Sequence, residues 1–419
     1  LPRPPMGMAW RDRQAHGWPG VEKARTGHAG RVGGNTKEGV ELSQDAWRLW
    51  LSRGALPLWS GIGFDTARRL FHERLTFDRR PIHLPELRLM VQARQISTYC
   101  RAQLDGFCPT AGQALECLHE VERRYWRSDD APGWIFSLGP DGRPADRRRD
   151  LYAHAFILFA YGWAYRASRD DAYLAVARET ALEIDRIFLT GQGGYLDTVP
   201  PADTIHRQNP HMHLLEAYLL LFEVSGELFY LEHARDLVLL ALEHFILPGT
   251  GMLLETFNSA WAPLQAAGHN RVEPGHLLEW SWLFSEFARL APRAAEVPAV
   301  LAARDRLADT AITCGVDPDR MVVCDAITED GARLEESTRI WPQTELMRIL
   351  ARRARDGDAR AATALTRQSG NFFEHYAPAR LHGGWIDRLD VHGVSLTDHM
   401  PASSLYHIYG GAVDFILGR

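Results

Sequence analysis

From about residue 45 to the end of the chain, apolar residues recur at helical spacing in block after block, and this repetition constrains the fold more than any other feature. LRLMVQARQISTYC at 87, LYAHAFILFAYGWAYRA at 151, HMHLLEAYLLLFEVSG at 211 and FYLEHARDLVLLALEHFIL at 229 are such blocks. Counting them gives about eleven or twelve helices and no long strand. A second pattern falls between some of them: a short apolar or aromatic piece, Gly-led in most copies, then a polar loop, then a new helix. The pieces are GWIF at 133, GGYLD at 193, GMLLE at 251, MVVCD at 321 and GGWID at 383. A spacing of about 60 to 70 residues leaves room for one hairpin-like loop and two helices per repeat.

The helices that follow these loops also start alike. NPHMHLLEA at 209, EPGHLLEW at 273, WPQTELM at 341 and MPASSLYHI at 400 each carry Pro in or just before the first turn, where its missing N–H costs nothing. About six such helix pairs, closed on themselves, make an α/α toroid whose loops converge on one mouth. Residues in the first turns of the inner helices then ring a central cavity: His211 and His213, His276 and Glu279, Gln343 and Glu345, and His407. Residues 45–419 are therefore expected to form a single all-α domain with short β-hairpin loops at one mouth. Residues 1–44, opening LPRPPMGMAWRDRQAHGWPG, are rich in Pro, Gly and Arg, lack apolar periodicity, and read as a poorly ordered leader.

Composition excludes several classes of function. No run approaches roughly 18 consecutive apolar residues, and the N-terminus lacks a basic-then-apolar signal, so no membrane contact is expected and the compartment is read as cytoplasmic. The net charge of -6 offers nothing to a nucleic-acid backbone. Five cysteines without a CxxC pair argue against a disulfide framework or a thiolate metal site, and are read as small buried hydrophobes.

Acid–base chemistry fits the remaining polar residues better than metal chemistry. His211 and His213 lie two apart, so on a helix they diverge and cannot chelate one ion. His276 and Glu279 share a face, but HxxE alone is far weaker than HExxH, so neither a metal nor a cofactor is expected. An imidazole is well matched to moving protons near neutral pH, and Glu279, one turn from His276, is placed to hold its ring. His154 in YAHAF stays open between a satisfied core histidine and a functional one. Arg94 falls on the inward stripe of Leu87, Met90 and Val91, which points to a ligand contact. Trp280, Trp282, Trp341 and Trp385 fall beside the mouth, and flat indoles suit the C–H faces of a carbohydrate.

Six motifs in order, VQARQ at 91, QNPHMHLLEA at 208, EPGHLLEW at 273, RIWPQTE at 339, GGWID at 383 and MPASSLYHI at 400, resemble the N-acylglucosamine 2-epimerase superfamily, which includes mannose isomerases. The resemblance covers residues from about 50 to 417 and implies an (α/α)6 barrel with metal-free proton transfer through two histidines. It implies that His407 removes the C2 proton of an open-chain sugar and that His276 assists ring opening and proton return, with the two roles open to exchange. Arg94, His211 and Glu279 would hold sugar oxygens and stabilise an enediolate, with Trp341 and Trp385 lining the site. The expected ligand is a monosaccharide or its phosphate, for which Arg207, Arg271, Arg339 and Arg388 stand near the mouth; assembly into a homo-oligomer stays open.

The reading favoured is an aldose–ketose isomerase of the mannose and fructose type. An N-acyl-hexosamine 2-epimerase is the alternative. A glycoside hydrolase using a pair from Glu279, Glu345, Asp387 and Asp398 would leave both histidines without a role, and a carbohydrate-binding protein would need neither.

Overall fold

The computed structural model describes residues 33–418; residues 1–32, most of the expected leader, lie outside the described residues. Helix α1 (Gly33–Trp50) begins within the stretch read as leader, so the boundary expected at residue 44 falls inside a helix. What holds that helix is Trp47, fully buried with ring centroids 4.2 and 4.9 Å from Phe372 and Phe373. These partners lie over 300 residues away, so no local period announces the contact.

Beyond α1 and α2 (Leu56–Ser60) come α3 (Leu89–Leu104), α4 (Ala111–Tyr125), α5 (Leu151–Ser168), α6 (Asp171–Phe188), α7 (Gln208–Ser225) and α8 (Leu228–Leu240). Then follow α9 (Pro274–Leu290), α10 (Val297–Thr310), α11 (Ile340–Arg355), α12 (Ala359–Asn371) and α13 (Leu405–Leu417). Six of them, α3, α5, α7, α9, α11 and α13, pack side by side, and α13 returns to α3, which closes the ring. Helices α4, α6, α8, α10 and α12 lie outside, each against the inner helix before it, and α1 packs against α12 and α13. The expected (α/α)6 barrel is thus the observed fold.

Position in the barrel explains composition. The inner helix α5 buries every residue from Ala153 to Ala164 and shows little amphipathicity, as a helix covered on all sides must. The outer helix α6 keeps a single buried stripe, Tyr173, Ala177, Thr180, Ala181, Ile184 and Phe188, and its one buried charge, Glu183, is bound by Trp126 and Arg127.

All the hairpins gather at one end. The strand leading into each inner helix pairs antiparallel with a strand of the next repeat: Leu87–Arg88 with Ser137–Leu138, Arg149–Asp150 with Thr198–Val199, and His206–Arg207 with Thr256–Phe257. Arg271–Val272 and Thr338–Arg339 continue the series, and His399–Pro401 pairs back onto Arg74–Thr76.

In four of the six inner helices one side chain fixes helix to hairpin. The fourth residue of α3, Gln92, accepts the N–H of Phe71 at 2.8 Å and donates to its carbonyl at 2.9 Å. Gln343, fourth in α11, does the same with Val323. His154 and His211, fourth in α5 and α7, accept the N–H of Trp134 and Tyr195 on Nε2, each at 3.0 Å, while Nδ1–H donates to the carbonyl of Asp150 or Arg207. Burial lowers both histidines to a pKa of about 4, so each is a neutral ring with both nitrogens occupied.

This corrects two expected sugar contacts. His211 faces a hairpin backbone, not the cavity, because its place in the helix is the clamp position. Trp385 belongs to the piece after α12, where it is fully buried and stacked on Trp59 with centroids 5.6 Å apart. It seals the hairpin against α2.

His211→Ala should therefore lower stability by about 2–3 kcal/mol in chemical denaturation, the cost of stranding a buried N–H. His211→Gln, which borrows the side chain used at residues 92 and 343, should recover most of that loss. An equal loss in both variants would contradict the clamp.

Candidate active site

Two positions after the clamp, a helix has turned about 200°, so the side chain there faces the barrel axis. The positions are Arg94, Phe156, His213, Glu279 and Glu345, on α3, α5, α7, α9 and α11. With His276 one turn above Glu279, Trp341 at the start of α11 and His407 on α13, they meet at the hairpin end. Their cavity there has a volume of about 450 Å3, with Arg94, Tyr152, His213, Glu255, His276, Glu279, Trp341 and His407 in its wall. Of the expected site residues, Arg94, His276, Glu279, Trp341 and His407 come together; His211 and Trp385 do not.

His276 begins α9 and is 6% exposed. Its Nδ1 lies 2.9 and 3.0 Å from the two oxygens of Glu255 and 3.9 Å from Glu273. Burial works against charge on this ring, but Glu255 and then Glu273 prevail and hold its pKa above the usual 6.5. Glu279 does not hold the ring, contrary to expectation: it lies one turn deeper, with Oε1 3.8 Å from His213 Nδ1.

His407 is built the opposite way. Its Nδ1–H donates to Glu345 Oε1 at 3.0 Å, which leaves Nε2 as the basic nitrogen. Burial, with the charges of Arg94 and His213 adding to it, pulls its pKa down to about 4 despite Glu345, a carboxylate that also binds Arg348 Nη1 at 3.1 Å. The indole of Trp341 lies between the two histidines, with ring centroids 5.0 Å from His276 and 5.2 Å from His407. It forms an aromatic floor with a nitrogen base at either side.

Arg94 stacks over Phe156 at 4.1 Å, donates to the Tyr152 hydroxyl and to the carbonyl of Ser403 at 3.2 Å, and has no partner for its Nε–H among the described residues. Glu279 is 2% exposed, and its Oε2 also lacks a partner among the described residues. Burial, with Glu345 and Glu216 close by, raises its pKa well above the carboxylate range, which favours the protonated form that can donate. Mouth arginines are otherwise engaged: Arg207 binds Asp197 and Asp203, Arg271 binds Glu273 and Glu335, Arg339 binds Glu273 and Asp325, and Arg388 binds Asp325 and Glu335.

Glu255, Tyr152 and Tyr406 have no place in the sequence reading, yet Glu255 leaves a signal. An acid ends the pieces at Asp197, Asp325 and Asp387 as it does at Glu255. Asp197 and Asp325 bind the backbone N–H and the guanidinium of Arg207 and Arg339, the residues just before α7 and α11. Before α9 that residue is Glu273, so Glu255 has no arginine there to bind and turns to His276 instead.

Comparison with known proteins agrees with this architecture. A sequence model of N-acylglucosamine 2-epimerase (GlcNAc 2-epimerase) matches residues 71–411. The chain is 30% identical over 386 residues to a mannose-6-phosphate isomerase of Rhizobium meliloti (strain 1021), covering 88% of this chain and 96% of that protein. It is 30% identical over 263 residues to a D-mannose isomerase of Thermobifida fusca, covering 56% and 63%. The cellobiose 2-epimerase structure from Spirochaeta thermophila DSM 6192 superposes with a TM-score of 0.81 at 20% identity, over 92% of this chain and 98% of that one. The chain belongs to the N-acylglucosamine 2-epimerase family.

Proposed function

We propose that this chain interconverts an aldose and its ketose, of the mannose and fructose type, by moving a proton between C2 and C1 through an enediolate. The family makes it a sugar isomerase or epimerase. The two cavity histidines with opposite pKa shifts support proton transfer, and likeness to proteins named mannose isomerases supports the aldose–ketose outcome.

At neutral pH His407 is uncharged with its lone pair on Nε2, whereas the carboxylates of Glu255 and Glu273 favour the charged form of His276. One can take a proton from a carbon acid while the other supplies one to a sugar oxygen. As the C2 proton leaves, negative charge grows on the C1 and C2 oxygens. The Nε–H of Arg94 and the protonated carboxyl of Glu279 are donors near that position, held in a buried site where such charge is well stabilised. Trp341 offers its face to the sugar carbons between them. A proton returned to C1 gives the ketose.

A hydrolase reading has little support. Glu345 is tied to His407 and Arg348, Asp387 accepts the hydroxyl of Ser404, and the Asp398 side chain is 95% exposed. The arginine pairing at the mouth supports a neutral sugar over its 6-phosphate, although the Rhizobium meliloti relative carries the name of a sugar-phosphate isomerase. kcat/KM for mannose should exceed that for mannose 6-phosphate; the reverse order would remove this part of the reading.

Incubation with mannose in deuterated water should place deuterium at C1 or C2 of the products. His407→Ala and His276→Ala should each lower kcat about 10²–10⁴-fold while the protein stays folded. Turnover without isotope incorporation in either the substrate or the product, or full activity in both variants, contradicts the mechanism. Activity should rise with pH through about 4 as His407 loses its proton, and fall again above the raised pKa of His276 as that acid is lost. Glu255→Gln should move the alkaline limb to lower pH, because the anion that supports the His276 cation is gone.

A further inference from the structure

Below the two histidines the barrel axis carries a second cluster, which the proton transfer uses only in part. His213 and Glu216 sit three apart on one face of α7, with Nδ1 of His213 3.3 Å from Oε2 of Glu216. Glu279 of α9 brings its Oε1 to 3.8 Å from the same nitrogen. One ligand atom from each of the three lies within 4.8 Å of the others, and all three side chains are buried. We propose that His213, Glu216 and Glu279 form a binding site for one divalent transition-metal ion of the zinc type, and that the ion excludes sugar from the cavity above.

Geometry carries the proposal. A tetrahedral zinc with bonds of about 2.0–2.1 Å has ligand atoms about 3.4 Å apart, which two of these separations already approach. One imidazole and two carboxylates are a nitrogen and oxygen set that zinc accepts. The unpartnered Oε2 of Glu279 is a separate observation: a buried carboxyl oxygen without a donor sits at the edge of the cluster that lines the sugar cavity. That cavity is also the path by which an ion would arrive. The ligands are held from behind, since the Tyr406 hydroxyl donates to Glu216 and the His213 ring lies 4.5 Å from Phe156 and 5.0 Å from Tyr152. An ion here takes Glu279 away from the sugar and sets a double positive charge beside His407, whose ring centroid is 6.2 Å from that of His213. The ion is therefore an inhibitor and has no part in the reaction.

The test is calorimetric titration of Zn2+ into the full chain after chelator treatment, which reads binding whether or not the sugar reaction is as proposed. One ion per chain is expected, weakened at least about tenfold by Glu279→Gln and by His213→Gln, since loss of even an outer partner of a metal costs that much. Glu279→Gln is close in shape and uncharged, and a melting curve without metal verifies its fold. His399→Asn, which removes a surface histidine paired with Asp398, should leave the titration unchanged. Saturating mannose should weaken Zn2+ binding in the wild-type chain. No binding, binding that survives both cluster variants, or binding abolished by His399→Asn overturns the proposal.

Discussion

The hydrogen bond from a hairpin N–H to the fourth residue of an inner helix sets the angular phase of the barrel. It is made by Gln92, His154, His211 and Gln343, each buried and each tied to a peptide of a different hairpin. Two positions on, the helix faces the axis, and that is where Arg94, Phe156, His213 and Glu345 stand. A buried, directional bond to a peptide resists the small rotational slippage that apolar packing tolerates.

The site arises where this regular scheme is broken. At α7 and α11 the hairpin acid is neutralised by an arginine that caps the helix from outside. At α9 glutamate replaces that arginine, leucine replaces the clamp at residue 277, and the freed carboxylate of Glu255 takes up His276. Across the floor of Trp341, Glu345 accepts from His407, but burial and the charges of Arg94 and His213 outweigh it and favour the neutral ring. Two histidines of one chemical kind are thus shifted in opposite directions by their surroundings.

The barrel was legible because its signals repeat. A helical period, a short hairpin piece and a proline at the helix start recur, and errors in any one copy average out. His276, His407, Arg94, Glu279 and Trp341 were legible too, as polar or aromatic groups at inward positions. His211 was misread because NPHMHLL offers two histidines, and sequence alone does not say which one clamps the hairpin and which one faces the axis. Placing His154 and His211 in the same register as Gln92 and Gln343 settles it, but that register is visible only once the helix starts are fixed. Trp385 was misread for a related reason: a tryptophan near a mouth can stand in the wall or behind it, and its contact with Trp59 spans most of the chain. The partner of His276 was assigned to the nearest acid in sequence, whereas Glu255 reaches it across a hairpin.

The central claim is that His276 and His407 hold opposite protonation states in one cavity. Nitrogen-15 chemical shifts of the histidine rings in the sugar-free protein at pH 7, assigned with His276→Ala and His407→Ala, measure this directly. His276 is expected as an imidazolium, and His407 as a neutral ring with its proton on Nδ1. A neutral His276, or a His407 that is charged or carries its proton on Nε2, would contradict it.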